Sequence, residues 1–396
     1  MARFSVRFLG CKVSHTDAQA LRERLLRDGH TETADGGDVA VVNTCCVTNE
    51  GLAKSRQAAA RAARSHARVY VTGCGARLSA DAFAGLPQNV TVVPGQIERA
   101  VETVAGDVGA IGCVRDEVRL ERTRAFVKIQ DGCSFSCSFC VIPAVRGATR
   151  SRSAAAILAE IRKRVAQGHR EIVLTGVNLG LFRDGGTRLP DLIRSAGAID
   201  GVHRLRLSSI EINHVDDALV AALRETRVVA PHLHVPLQSG DDAVLKAMAR
   251  RYTAEAYVRK LEPLRDFNLT ADVIVGFPTE DGAAFERTLE TVRAAGLTKL
   301  HVFPYSPRPG TKTADADPVP ANVKKERSAR LRALSEAACR ARWEAKLGLE
   351  DDVLVDRPGR GYGADYSPWL LDAPVGQLVR VRARAVTAEG ILADAA

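Results

Sequence analysis

Over the first hundred residues the hydrophobic pattern switches back and forth between two periods. Short β-branched runs, Phe4 to Leu9, Val39 to Val42, Val69 to Thr72 and Val90 to Val93, read as strands. Between them, Asp17 to Asp28 and the alanine-rich Leu52 to Ala67 carry helical spacing. Strands that alternate with helices predict an open parallel α/β sheet covered on both faces. A second series follows a mixed stretch near residues 105 to 122 that reads as a linker. Its strands are Ala125 to Gln130, Glu171 to Leu174, Arg204 to Leu207, Leu233 to Pro236, Ala271 to Val275 and Lys299 to Phe303. Helical stretches such as Ala154 to Gln167 and Glu286 to Ala295 separate them, which suits a partial (β/α)6 barrel. The polar run from Ala321 to Lys346 reads as a closing helix. After it come short strands, Val353 to Asp356, Leu370-Leu371, Leu378 to Arg384 and Gly390 to Leu392, set among Gly, Pro and Asp. They predict a small C-terminal β-barrel. The fold class is therefore α/β, in three domains: 1–105, 119–345 and 346–396.

Composition narrows the setting. The 396 residues are 46% hydrophobic, yet no apolar run approaches the roughly 20 residues of a membrane helix. The start lacks an apolar secretion segment, so a cytoplasmic protein without a membrane partner is expected. Nine cysteines in such a chain point to metal or redox chemistry rather than to disulfides. The formal charge of +9 leans towards a polyanionic partner such as RNA.

Cys133, Cys137 and Cys140 form a CxxxCxxC motif just after the first strand of the second series. Barrels of this kind carry their active sites at the C-terminal ends of the strands. Three thiolates can wrap one cubane cluster whose full ligation needs four, so one iron stays open to a non-protein ligand. The amino and carboxylate groups of S-adenosylmethionine (SAM) suit that position. Structural zinc is the competing use, but it usually pairs one CxxC with a second CxxC or an HxxxH, and no such partner is obvious.

This motif, with Phe139 inside it, resembles the signature of the radical-SAM superfamily. The resemblance implies that Phe139 packs near the SAM adenine. It also implies SAM contacts from Thr175 and Gly176 after the second strand, from Ser209 and Glu211 after the third, and from Gly276 on the fifth.

A second cysteine set is dispersed. Cys11, Cys45 and Cys74 each end a predicted strand of the first series, where ligands of open parallel sheets bind. Convergence there predicts a second cluster with an open iron. Cys46, the direct neighbour of Cys45, is expected to point elsewhere.

Three strand-end cysteines, a radical-SAM barrel and a small β-domain together resemble the methylthiotransferases. The segments Leu9 to Val13, Asn43 to Asn49, Arg146 to Arg152 and Leu233 to Gly240 are most similar to the MtaB-type branch. What this implies is a transferase with two [4Fe-4S] clusters and SAM. Its substrate is N6-threonylcarbamoyladenosine at position 37 of the tRNA anticodon loop. Radical C–H activation, sulfur insertion and SAM-dependent S-methylation give the 2-methylthio derivative. An external electron donor and a sulfur source are implied as further partners. Two alternatives keep the same chemistry, on isopentenyladenosine in tRNA or on a ribosomal-protein aspartate. A third, from another class, is a non-catalytic RNA adaptor with structural zinc at both sites.

Two basic groups are candidates for RNA. Lys54, Arg61, Arg64 and Arg68 share one face if Leu52 to Arg68 is a single helix free of acidic residues. Arg380, Arg382 and Arg384 alternate along a strand of the final domain, which resembles a TRAM domain. That domain holds six basic and eight acidic residues from Lys346 onward, so any grip on RNA there is local.

Overall fold

The structure, a computed structural model, describes residues 1–34, 36–109 and 123–395. Most of the expected linker, with Cys113 and the expected domain start at residue 119, lies outside the described residues. Two compact units form. The first joins Met1–Leu120 with Asp131–Ala148 and Arg308–Ala314. The second joins Glu121–Gln130 with Thr149–Pro307 and Asp315–Ala396.

The first unit is built on a parallel sheet. Its strands are β1 (Arg3–Phe8), β2 (Thr31–Glu32), β3 (Gly37–Thr44), β4 (His66–Thr72) and β5 (Val90–Val92), in the order β2-β1-β3-β4-β5. Period-two alternation sends Val39 and Val41 to one face, with Phe4, Leu21, Leu25 and Val104. Ala40 and Val42 go to the other, with Ala58, Ala59 and Phe83. The helices are α1 (Lys12–Arg27), α2 (Asn49–Ala62), α3 (Gly73–Leu78) and α4 (Ile97–Val108). The sequence pattern did not predict α4. Ala100 and Val104, one helical turn apart, nevertheless bury against the first face of the sheet.

In the second unit, β6 (Arg124–Lys128), Glu171–Thr175 and Arg204–Leu207 form one parallel sheet. His232–His234, Asn268–Val275 and Lys299–Pro304 form another. A parallel bridge from Ser209 to His234 carries the arc from one to the next, giving six strands of a partial barrel around a single apolar core. The helix Ala321–Glu344 backs the last strand, where Ser335 Oγ accepts the Leu300 N–H at 2.9 Å.

The chain ends in a closed five-stranded barrel around Trp369, Val353, Val381 and Ile391. One of its strands, Arg360–Tyr362, is too short and too polar to stand out in the sequence. Buried charge ties this barrel to the N-terminal ends of the (β/α) strands. Glu171 accepts Arg206 Nε at 2.8 Å and Arg204 at 3.1 Å, and pairs with Arg124 at 3.0 Å. Burial opposes ionisation of Glu171, but Arg206 and Arg124 outweigh it and hold the carboxyl below its ordinary range. The excess positive charge meets backbone oxygens of the C-terminal barrel. Arg206 donates to Gly363 O at 2.7 Å and to Ala364 O at 2.9 Å, and its guanidinium lies 4.4 Å from the Tyr366 ring.

Candidate functional site

Cys11, Cys45 and Cys74 follow β1, β3 and β4, which are neighbours in the sheet. Cys11 is the N-cap of α1 and Cys74 lies in the first turn of α3. Polar stitches hold these strand ends together. Asn43 Nδ2 donates to Ser14 O at 2.7 Å, Thr44 Oγ1 donates to Thr72 O, and the Ala76 N–H donates to Thr44 Oγ1 at 3.1 Å. Two glycines take conformations that crowding demands. Gly10 has φ +116°, and a Cβ there would stand 3.3 Å from Cys45 Sγ. Gly73 has φ +87°, and a Cβ there would meet Thr44 N at 2.8 Å and the Asn43 side chain.

The three sulfurs act on one another. Burial pushes the Cys45 thiol up, and a charge on Cys11 or Cys74 adds to that. Among the described residues, no three His, Cys, Asp or Glu side chains gather as ligands of one metal ion. A cubane cluster asks for a different arrangement, because each thiolate binds a different iron. A set of thiols at three adjacent strand ends, spaced by glycine, fits such a group by its donor chemistry.

Cys46 departs from expectation. Its fully buried side chain packs in one cluster with Cys74 rather than pointing elsewhere. The extended strand ends at Thr44, so neighbouring side chains no longer alternate at Cys45 and Cys46. Cys46, helped by Arg146 and working against burial, holds the Cys74 thiol below its ordinary range. That favours the thiolate, the form that binds metal.

The CxxxCxxC loop belongs to the first unit. The Cys133 N–H donates to Gly147 O at 3.0 Å and the Cys140 N–H to Cys137 O at 3.2 Å. All three cysteines and Phe139 are half-buried, and Ser138 O accepts Thr313 Oγ1 at 3.3 Å. Sequence reasoning missed the side chain that fastens the end of this loop. Arg146, buried, donates to Asp17 at 2.9 Å and to Asp131 at 3.1 Å. The sequence marks Arg146 only as the first residue of the segment Arg146 to Arg152, with no sign of its two carboxylate partners.

In the second unit, four of the expected SAM contacts sit together at two strand ends. Thr175 is buried, the Gly176 N–H donates to Ser208 Oγ at 3.3 Å, and Ser209 O accepts the Leu179 N–H at 3.1 Å. The Glu211 N–H donates to Asn178 Oδ1 at 3.3 Å, while its carboxylate accepts the Asn213 N–H at 3.0 Å and faces Arg250 at 3.5 Å. Gly276 ends another strand of the arc. Its N–H donates to Glu280 at 2.7 Å, and Lys324 methylenes fill the place of a Cβ. The close approach seen at Gly276 is therefore that of Lys324.

The expected basic stripe does not form. Helix α2 starts at Asn49 and ends at Ala62, so Arg64 lies beyond it and Arg68 is in β4, donating to Asp107 O at 2.8 Å. Pairing of His66 with Gly37 begins the strand and overrides the helical propensity of Ala67. Glu50, inside the helix, pairs with Lys54 at 2.6 Å. Arg380 and Arg382 are exposed on one strand, as expected, but they pair with Glu350 at 3.1 and 2.7 Å.

Comparison with known proteins agrees with this architecture. Residues 127–292 match the Radical SAM superfamily, and residues 3–95 match Uncharacterized protein family UPF0004. Threonylcarbamoyladenosine tRNA methylthiotransferase MtaB of Chlamydia pneumoniae is 33% identical over 99% of this chain and 97% of its own. The tRNA-2-methylthio-N(6)-dimethylallyladenosine synthase of Cereibacter sphaeroides is 35% identical over 95% and 94%. Among solved structures, the radical S-adenosylmethionine methyltransferase TsrM of Kitasatospora setae shares the fold. Its TM-score is 0.58 at 14% identity, over 79% of this chain and 75% of that one. Fold and matches together define a radical-SAM enzyme, whose cofactors are SAM and iron–sulfur clusters. Within that class, the chain belongs to the methylthiotransferase family.

Proposed function

We propose that this enzyme is a cytoplasmic tRNA methylthiotransferase acting on N6-threonylcarbamoyladenosine in the anticodon loop. Cys133, Cys137 and Cys140 hold the cluster that takes SAM, and Cys11, Cys45 and Cys74 hold the auxiliary cluster. The single observation that carries this reading is the placement of those last three thiols at the ends of three adjacent parallel strands. When bound, the clusters and SAM supply an electron, a 5′-deoxyadenosyl radical, sulfur and a methyl group. That radical is needed because carbon 2 of adenine bears a C–H bond too strong for acid–base catalysis.

The chain's own residues hold and orient. Ser208 fixes the Gly176 backbone, and Asn178 fixes that of Glu211, so two strand ends present one polar rim to SAM. The Glu211 carboxylate is kept in place by the Asn213 N–H and by Arg250. An external electron donor and a sulfur source complete the reaction.

The choice of substrate is supported by the MtaB relatives, which align over nearly the full chain. The similar identity of the dimethylallyladenosine synthase favours a second reading, the same chemistry on isopentenyladenosine. Mass spectrometry of tRNA nucleosides from cells with and without the gene separates them. Loss of 2-methylthio-threonylcarbamoyladenosine supports the first reading, and loss of the isopentenyl counterpart supports the second. A Cys137→Ala variant is expected to form no 5′-deoxyadenosine; if it still did, the ligand assignment would be wrong.

A further inference from the structure

Arg146 has no part in the ligation scheme, yet it is among the most constrained side chains of the first unit. It is 5% exposed. One guanidinium nitrogen donates to Asp17 Oδ2 at 2.9 Å, and the other reaches both oxygens of Asp131, at 3.1 and 3.2 Å. The carbonyl of the same residue accepts Gln96 Nε2 at 3.2 Å, and Gly147, with φ +76°, stops the short helix there. Two carboxylates are sufficient to pair a buried guanidinium, but the short helix that ends at Arg146 also packs against Cys74 through Val145, and the Arg146 charge favours the Cys74 thiolate. Its charge is felt at Cys11 and Cys45 as well. The surroundings on the loop side are apolar. Val141, Val145, Cys46 and Cys74 form one buried cluster, so solvent does little to screen that charge.

We infer that Arg146 is a positioning residue that tunes the reduction potential of the auxiliary cluster, an inference that rests on the proposed ligation by Cys11, Cys45 and Cys74. Reduction adds negative charge to a cluster. A buried cation fixed beside a ligating sulfur stabilises the reduced form and raises the potential. Asp17 and Asp131 fix the guanidinium in that position, and each offsets part of its field.

The signs of the expected shifts separate this role from a purely structural clamp. The test is an EPR-monitored redox titration of the full-length holoprotein, with added SAM to move the signal of the other cluster away. Arg146→Met is expected to lower the auxiliary potential and Arg146→Lys to lower it less. Asp17→Asn is expected to raise it, because it removes a compensating negative charge and leaves the arginine. A clamp alone predicts no such reversal of sign. If Arg146→Met loses its iron on purification, Asp17→Asn decides the matter. A parent protein with iron for one cluster only would overturn the ligation reading, and this inference with it. A parent with both clusters whose auxiliary potential is unmoved in Asp17→Asn overturns the inference alone.

Discussion

Asp365→Asn isolates one buried charge at the junction of the closing helix and the C-terminal barrel. The Asp365 side chain is 3% exposed, and it receives Arg342 Nε at 2.8 Å and Lys346 Nζ at 3.3 Å. The Ser367 N–H adds a hydrogen bond at 3.0 Å. Burial alone would push this carboxyl up, but Lys346 and Arg342 outweigh it and hold it at about 2, from an ordinary 3.8. Each tenfold change in proton affinity is worth about 1.4 kcal/mol, so ionised Asp365 contributes about 2 kcal/mol to stability. Because the folded value is depressed, the contribution is complete above the unfolded value near 4. It fades as pH falls towards about 2. The protein carries its own reporter: its two tryptophans, Trp343 and Trp369, pack against this same barrel core. Urea unfolding followed by tryptophan fluorescence is expected to show Asp365→Asn less stable by about 2 kcal/mol at pH 7. The gap is expected to persist to about pH 5 and to narrow below about pH 4. A variant as stable as the parent at pH 7, or a gap unchanged at about pH 3, would refute the assignment.

Other positions give further checks. Gly73→Ala puts a Cβ within 2.8 Å of Thr44 N at a positive φ, so the junction of the β3 and β4 ends must open. The anaerobically purified variant is expected to hold about half the parent's iron, of roughly eight for two cubanes, and full iron would count against the auxiliary site. Arg380 and Arg382 spend their charge on Glu350 and Asp352. Alanine at either is therefore expected to change tRNA affinity by less than about threefold in a filter-binding assay. Glu350→Gln, which frees Arg382 and leaves Arg380 paired with Asp352 alone, is expected to tighten it.

Strands were the most legible part of this fold. Val39 to Val42 and Val69 to Thr72 are β-branched runs whose partners lie within the same sheet, so local preference and tertiary need agree. Cys11, Cys45 and Cys74 stood out for the same reason, since each follows a readable strand, whereas Cys133, Cys137 and Cys140 stood out by their spacing alone. Features set by long-range pairing were illegible. Glu171 and Arg206 are far apart in sequence, as are Asp17 and Arg146, and nothing local marks them as partners. The basic stripe failed where two local preferences competed, with alanine-rich helix propensity against strand pairing at His66. Cys46 was misjudged because alternation was carried two residues past the end of its strand.

The first unit is discontinuous along the chain. Its residues come from Met1–Leu120, Asp131–Ala148 and Arg308–Ala314, with most of the second unit encoded in between. During synthesis the N-terminal sheet therefore leaves the ribosome well before the last segment of its own unit exists. Asp17 waits for Arg146 in the middle segment, and Ser138 waits for Thr313 in the last. Under the proposed ligation, loading of metal into the strand-end cysteines is best suited to a nearly complete polypeptide. A fragment ending at the sheet would lack the arginine that braces it.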